Sequence, residues 1–341
     1  MWFRHQCAVL AVRNSRYGGS RSWADDGETP DPHPIGMNEN VVVTDALARR
    51  YGDRLAVDGV SLTVRQGEVY GFLGPNGAGK TTTLRMLLGL VRPTGGKATV
   101  LGHPPGSPQG LARIGALIEG PGFYPYLSAR DNLRVLARYA GLDDVAVEAA
   151  LEQVDLNSRA SDRFRSYSLG MKQRLGVAAA LLGGPDLLIL DEPTNGLDPA
   201  GMADMRDLIR AVADQGQTVL ISSHLLGEVQ QICDRVGVIS AGRLLVESTV
   251  ADLRGHGGLL VRADPLSEAR AVVERVVGAH RVSTVDGALR LSTGAERAAE
   301  VTRALVLADV AVLEIRPEER TLEQAFFQMT GTDSTVEEIT S

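Results

Sequence analysis

EVYGFLGPNGAGKTT, residues 68–82, joins an apolar run to a glycine-rich turn. The run has strand length, and KTTTLRMLLGL (80–90), which follows, has helical spacing. Between them GPNGAGKTT fits G-x-x-x-x-G-K-[ST], in the strand–turn–helix context that the motif requires. Across Gly74, Pro75, Asn76, Gly77, Ala78 and Gly79 the glycines let successive N–H groups curl around a phosphate, and the helix N-terminus adds its dipole. Lys80 reaches for the β- and γ-phosphates, Thr81 offers a hydroxyl to Mg²⁺, and Thr82 completes the cradle.

Outward from this turn the chain alternates strands and helices. VVVTDAL (41–47), VSLTV (60–64) and residues 97–101 and 114–118 have strand character. Residues 128–182 are mostly helical, with apolar spacing at Leu133, Leu136, Ala137 and Ala140, and 121–180 has the texture of an inserted helical subdomain. DLLIL (186–190), QTVLISSH (217–224) and RVGVIS (235–240) are short apolar runs suited to buried parallel strands. The interleaving predicts an α/β domain over 39–250. Beyond it, GLLVRAD, PLSEARAVVERVVG, a hairpin with Asp286-Gly287 at its tip, GAERAAEVTRALVLAD and VAVLEIRP spell βαββαβ, a ferredoxin-like unit over 251–331 suited to packing or dimerisation. Thr321 and Gln324 form a candidate capping box, and 332–341 reads as a flexible tail.

The first 38 residues, rich in Gly, Ser, Pro and charge, read as a disordered extension. Arg without acid over the first 23 faintly resembles a transit peptide, the apolar segment of a secretory signal is missing, and Met37 offers a tidy alternative start. The 341 residues carry a net charge of −7, which argues against a general nucleic-acid binder. The longest apolar region, near 177–190, is interrupted at Gly183–Asp186, so no membrane span is expected. Cys7 and Cys233 suggest neither a disulfide framework nor a zinc site, as expected of a reducing cytosol.

LLILDEPTNGLD (187–198) delivers Asp191 and Glu192 to a strand end, where open α/β sheets bind ligands. Asp191 can hold Mg²⁺ through water, and Glu192 can polarise water in line with a γ-phosphate. His224 ends VLISSH on the same expected edge, within reach of that phosphate.

The order GPNGAGKTT, SLGMKQR, LLILDEPTNGLD, ISSH resembles the nucleotide-binding subunit of ABC transporters over about residues 41–250. TLEQAFFQMTG (321–331) is similar to the end of prokaryotic export-type subunits of the bacitracin and drug-resistance group. The resemblance implies a P-loop ABC ATPase fold with a mixed sheet core, and ATP and Mg²⁺ as cofactors. It gives Tyr51 the place of the aromatic that stacks on adenine. Asp198 falls in the loop that addresses the opposite site. Glu119 stands where the family usually has Gln, as a carboxylate near Mg²⁺ and the attacking water. Ser168, Leu169, Gly170 and Met171 occupy the signature usually written LSGGQ. Ser168 and Gly170 are retained, Leu169 adds bulk, and Met171 lacks the amide. A head-to-tail dimer follows, a homodimer before a heterodimer, driving export through a separate polytopic permease from the inner face of the membrane. The competing expectations are a soluble regulatory ABC-type ATPase and another P-loop NTPase.

Overall fold

In the computed structural model, which describes residues 40–120, 122–254 and 258–318, the first element is strand β1 (Asn40–Tyr51). It pairs antiparallel with β2 (Arg54–Val60) and with β3 (Thr63–Arg65). The single strand expected over 60–64 is thus split. The Thr44 hydroxyl donates to Val60 O at 2.9 Å and accepts from Leu62 N at 2.9 Å. One side chain takes backbone groups that a continuous ladder would use, and the pairing resumes two residues later.

β4 (Val69–Leu73) is buried along its whole length and runs into α1 (Lys80–Leu87). β5 (Gly95–Val100) returns antiparallel to β1; α2 (Pro108–Leu111) and β6 (Ile114–Leu117) follow. A helical block comes next: α3 (Ala129–Tyr139), α4 (Asp144–Gln153) and α5 (Leu169–Leu181). Ser128, Asp143 and Ser168 cap them, each side chain accepting from a backbone N–H in the first turn. The chain then alternates β7 (Leu187–Asp191), α6 (Pro199–Asp214), β8 (Thr218–Ser223), α7 (Leu226–Ile232), β9 (Arg235–Ser240) and β10 (Arg243–Thr249).

The main sheet has the order β10-β9-β4-β8-β7-β6. Parallel register sets Leu73 opposite Ser223 and Val238, and Asp191 opposite Ser222. The P-loop, the Asp191-Glu192 pair and His224 therefore leave the sheet on one edge, where ligands bind in such folds. The runs Leu187–Asp191 and Thr218–Ser223 are wholly buried, as expected of strands covered on both faces.

A second compact unit starts at Ser248. It holds α8 (Val250–Arg254), β11 (Gly258–Asp264), α9 (Leu266–Val277), β12 (Val282–Val285), β13 (Ala288–Leu291), α10 (Ala298–Leu307) and β14 (Ala311–Glu318). Its antiparallel sheet, β12-β13-β11-β14, has the ferredoxin-like order, over a core that includes Leu259, Val261, Val273, Leu289, Val301 and Leu305. Asp286 and Gly287 both have positive φ (49° and 71°), as a tight hairpin turn requires. The Thr321–Gln324 capping box and the segments 1–38 and 332–341 lie outside the described residues. No helix among the described residues is long and apolar enough to cross a membrane.

Candidate active site

The P-loop folds as its glycines dictate. Gly79, at the N-terminus of α1, has φ 110°, and a Cβ there would lie 2.5 Å from Ala56 O. No other residue type fits that corner. The turn sends Lys80 back over the loop. Its ammonium, 5% exposed, donates to Gly74 O at 2.6 Å and Pro75 O at 3.2 Å and pairs with Glu192 Oε1 at 3.0 Å.

Glu192 bridges two cationic or donor groups. Its Oε2 lies 2.7 Å from Nδ1 of His224. Its own φ is 50°, a left-handed turn directly after β7 that swings the carboxylate off the strand line. Asp191 points the other way. Its Oδ2 accepts from the Thr81 hydroxyl at 2.8 Å and its Oδ1 from the Ser222 hydroxyl at 2.5 Å. Burial pushes its carboxyl above the ordinary aspartate range; the Ser222 and Thr81 hydrogen bonds oppose this, the Glu192 charge adds to it, and Lys80 counters.

Tyr51, 45% exposed, lines the same cleft of about 410 Å³ as Asn76, Gly77, Gly79, Lys80, Thr81, Thr82 and Glu192. That volume suits a small-molecule ligand. The Arg49 guanidinium lies 4.4 Å from the Tyr51 ring centroid and steadies one face of the ring. Lys80, Thr81, Asp191, Glu192 and His224 are thus brought together, and Tyr51 lines the cleft with the P-loop.

Glu119 is not. It has φ 62°, and its half-exposed carboxylate pairs with Arg85 of α1. Ser168, Leu169, Gly170 and Met171 do not line that cleft either. Ser168 caps α5, its hydroxyl accepting from Met171 N at 3.3 Å, and Leu169 is 48% exposed. Leu169 Cδ2 rests 3.1 Å from where a Gly196 Cβ would be, so the signature touches the loop leading to Asp198. Asp198 itself caps α6, accepting from Gly201 N at 3.1 Å.

Two polar residues of the site escaped the sequence reading. Ser222 holds Asp191, and its signal was the first serine of VLISSH. Arg54 lines the cleft three residues after Tyr51, with a guanidinium nitrogen 3.7 Å from the Cβ position of Gly77.

Mg²⁺ takes few protein oxygens and completes its shell with phosphates and water. Thr81 Oγ1 and the Asp191 carboxylate are two hard oxygen donors side by side, which fits that habit. No cluster of three or more His, Cys, Asp or Glu suited to holding a metal unaided occurs among the described residues.

A family model described as ABC transporter matches residues 57–195. The bacitracin transport ATP-binding protein BcrA of Bacillus licheniformis is 40% identical over 298 residues, 85% of this chain and 97% of that protein. The lantibiotic transport ATP-binding protein SrtF of Streptococcus pyogenes is 41% identical over 201 residues, 59% of this chain and 87% of that protein. A solved structure titled as the ATP binding subunit of an ABC transporter superposes with a TM-score of 0.57 at 29% identity, covering 63% of this chain and 92% of that one.

Proposed function

The chain belongs to the ABC transporter family as an ATP-binding subunit whose ATP hydrolysis is coupled to transport, and we propose that it works as half of a head-to-tail dimer, with Mg²⁺, on a separate membrane permease. The observation that carries the mechanism is the bracketing of Glu192 by Lys80 and His224, at 3.0 and 2.7 Å.

Lys80 is held by carbonyls of its own loop, neutral partners that a γ-phosphate outcompetes by charge. Moving Lys80 onto phosphate releases Glu192 Oε1 to accept a proton from an attacking water. His224 keeps the other oxygen in place through Nδ1, leaving Nε2 as the nitrogen available to the γ-phosphate. Thr81 and Asp191 would hold Mg²⁺, which supplies charge neutralisation on the phosphates when bound. Tyr51 offers a ring to stack adenine, and the Gly74–Thr82 amides orient the phosphate chain. Catalysis is then chiefly positioning and charge stabilisation.

The second half of the site comes from a partner copy. Ser168 and Leu169, at the start of α5, are exposed, and a helix N-terminus there suits binding a γ-phosphate in trans. Asp198 adjoins them and reaches the same interface. The two chains are copies of one sequence in this account. The exposed Tyr124 and Tyr126, shortly after Glu119, suit docking to a polytopic permease at the inner face of the membrane. Cargo of the antimicrobial-peptide class, moved outward, accords with the names of the bacitracin and lantibiotic relatives. The unit from Ser248 serves packing or dimerisation.

Glu192→Gln keeps the shape and removes the base. It should bind ATP while turnover falls on the order of 10³-fold in a phosphate-release assay. Parental turnover in that variant would overturn the assignment.

A further inference from the structure

Glu228, in the first turn of α7, is 5% exposed and plays no part in the chemistry above. Its Oε2 accepts a hydrogen bond from the Thr194 hydroxyl at 2.5 Å. Its Oε1 is buried without a hydrogen-bond partner. A carboxylate so placed is costly, and an apolar side chain of similar volume would fill the space with less penalty. What the carboxylate contributes is direction: one fixed acceptor for Thr194, itself 4% exposed.

Thr194 lies two residues after Glu192, in the turn that the left-handed Glu192 begins. A non-glycine residue in that conformation persists only where its surroundings over-determine it. Glu192 N donates to Ser222 Oγ at 3.0 Å, Asn195 N to Glu192 O at 3.1 Å, and Leu197 N to Thr194 O at 3.1 Å. These bonds close the turn on itself and onto β8. The Thr194–Glu228 bond adds a tie to α7, the helix that follows His224. α7 is in turn seated hard on the sheet. A Cβ on Gly71 of β4 would lie 2.7 Å from Val229 Cγ1 and 2.9 Å from Cys233 Sγ. The ends of β7 and β8 are thus bridged twice, by Glu192–His224 and by Thr194–Glu228.

We propose that Glu228 is a positioning residue for ATP hydrolysis: by holding Thr194 it fixes the turn that aims the Glu192 carboxylate between Lys80 and His224. It acts through Thr194 and touches no reacting atom. The inference rests on the assignment of Glu192 as the base.

The test is Thr194→Val in the full chain, which keeps shape and loses the donor. Its kcat should fall on the order of tenfold, since small misplacements of a catalytic group are costly in rate. ADP affinity by calorimetry and KM for ATP should stay within about twofold, because neither depends on aiming the base. Thr194→Ser, which restores the hydroxyl, should return kcat to within about twofold of the parent. Parental kcat in Thr194→Val, equal losses of kcat and ADP affinity, or failure of Thr194→Ser to rescue would each overturn the proposal. If Thr194→Val does not fold, the double variant Thr194→Val/Glu228→Leu carries the same readings without the unpaired carboxylate. The parent and Glu192→Gln run alongside. Normal turnover in Glu192→Gln sinks the base assignment, whereas a silent Glu192→Gln with a fully active Thr194→Val sinks only the role of Glu228.

Discussion

Two sets of charged and polar groups sit at opposite ends of the same parallel strands. At the starts of β4 and β9, Arg235 donates to Glu68 at 3.0 Å and pairs with Glu247 at 3.2 Å, while the Tyr70 hydroxyl donates to Glu247 at 2.9 Å. Backbone groups close the set: Arg65 N donates to Glu68, Thr63 N to Glu247, and Thr63 O accepts from Arg235. At the far ends, Lys80, Glu192 and His224 use similar chemistry differently. Lys80 leans on carbonyls that a phosphate can replace, and Glu192 is held by groups that themselves have business with the γ-phosphate. One end is a lock whose partners are permanent; the other is a set of exchangeable contacts at the open edge of the sheet. Charge at the strand starts serves the fold, and charge at the strand ends serves the reaction.

The sharpest way to break that division is Lys80→Ala. It should lower kcat/KM for ATP on the order of 10³-fold, as loss of a preorganised charge at a developing anion does. Its stability in a denaturant titration should stay within about 1 kcal/mol of the parent, since the carbonyls it leaves can be hydrated and Glu192, at the open edge, keeps His224 as a partner. A large stability loss there would mean that the catalytic end also locks the fold.

Arg235→Met should do the reverse. Removing the cation leaves Glu68 and Glu247 facing each other in a largely dry setting, with an expected loss of about 3–5 kcal/mol in the denaturant midpoint analysis. Nucleotide affinity of the folded fraction should be unchanged. Unaltered stability would show that the network contributes geometry alone.

Glu68→Gln gives a smaller effect with a defined sign. Burial raises the Glu68 carboxyl above its ordinary value, against the lowering pull of Arg65 and Arg235. The unfolded chain therefore releases this proton at a lower pH than the folded chain, and stability falls as pH rises from the ordinary glutamate value through the raised one. The parent should lose stability relative to Glu68→Gln across that window when thermal melts are compared. A parallel pair of profiles would contradict the burial account.

Much of the exchangeable end was legible in the sequence, and little of the lock. GPNGAGKTT, DE after LLIL, and ISSH announce themselves because each follows an apolar run that can only be a buried strand. Glu68, Arg235 and Glu247 are scattered over 180 positions, and only the fold brings them together. Glu119 shows a different limit. The family resemblance put it near a metal, but nothing local revealed that Arg85 of α1 is its ion-pair partner. The split after Val60 turned on one hydroxyl, that of Thr44, acting across 16 and 18 residues. α6 was more readable than it seemed, since Asp198-Pro199 is an ordinary N-cap followed by proline at the first helical position. Asp198 was valued for its loop and not for its cap.

Met171→Gln should have the smallest effect. It restores the amide usual in the signature, but Ser168 and the first-turn amides of α5 are already in place, so the ATPase rate should change by about threefold or less. A larger gain would mean that the second half of the site depends on that side chain.

Sharing of ATP between two copies of the chain is the central requirement of this mechanism. Glu192→Gln with Mg²⁺ and ATP, followed by light scattering, measures this. The expected result is a mass of two chains with ATP and one chain with ADP, and a return to one chain when Ser168→Arg is added. A one-chain mass with ATP demonstrably bound would contradict it.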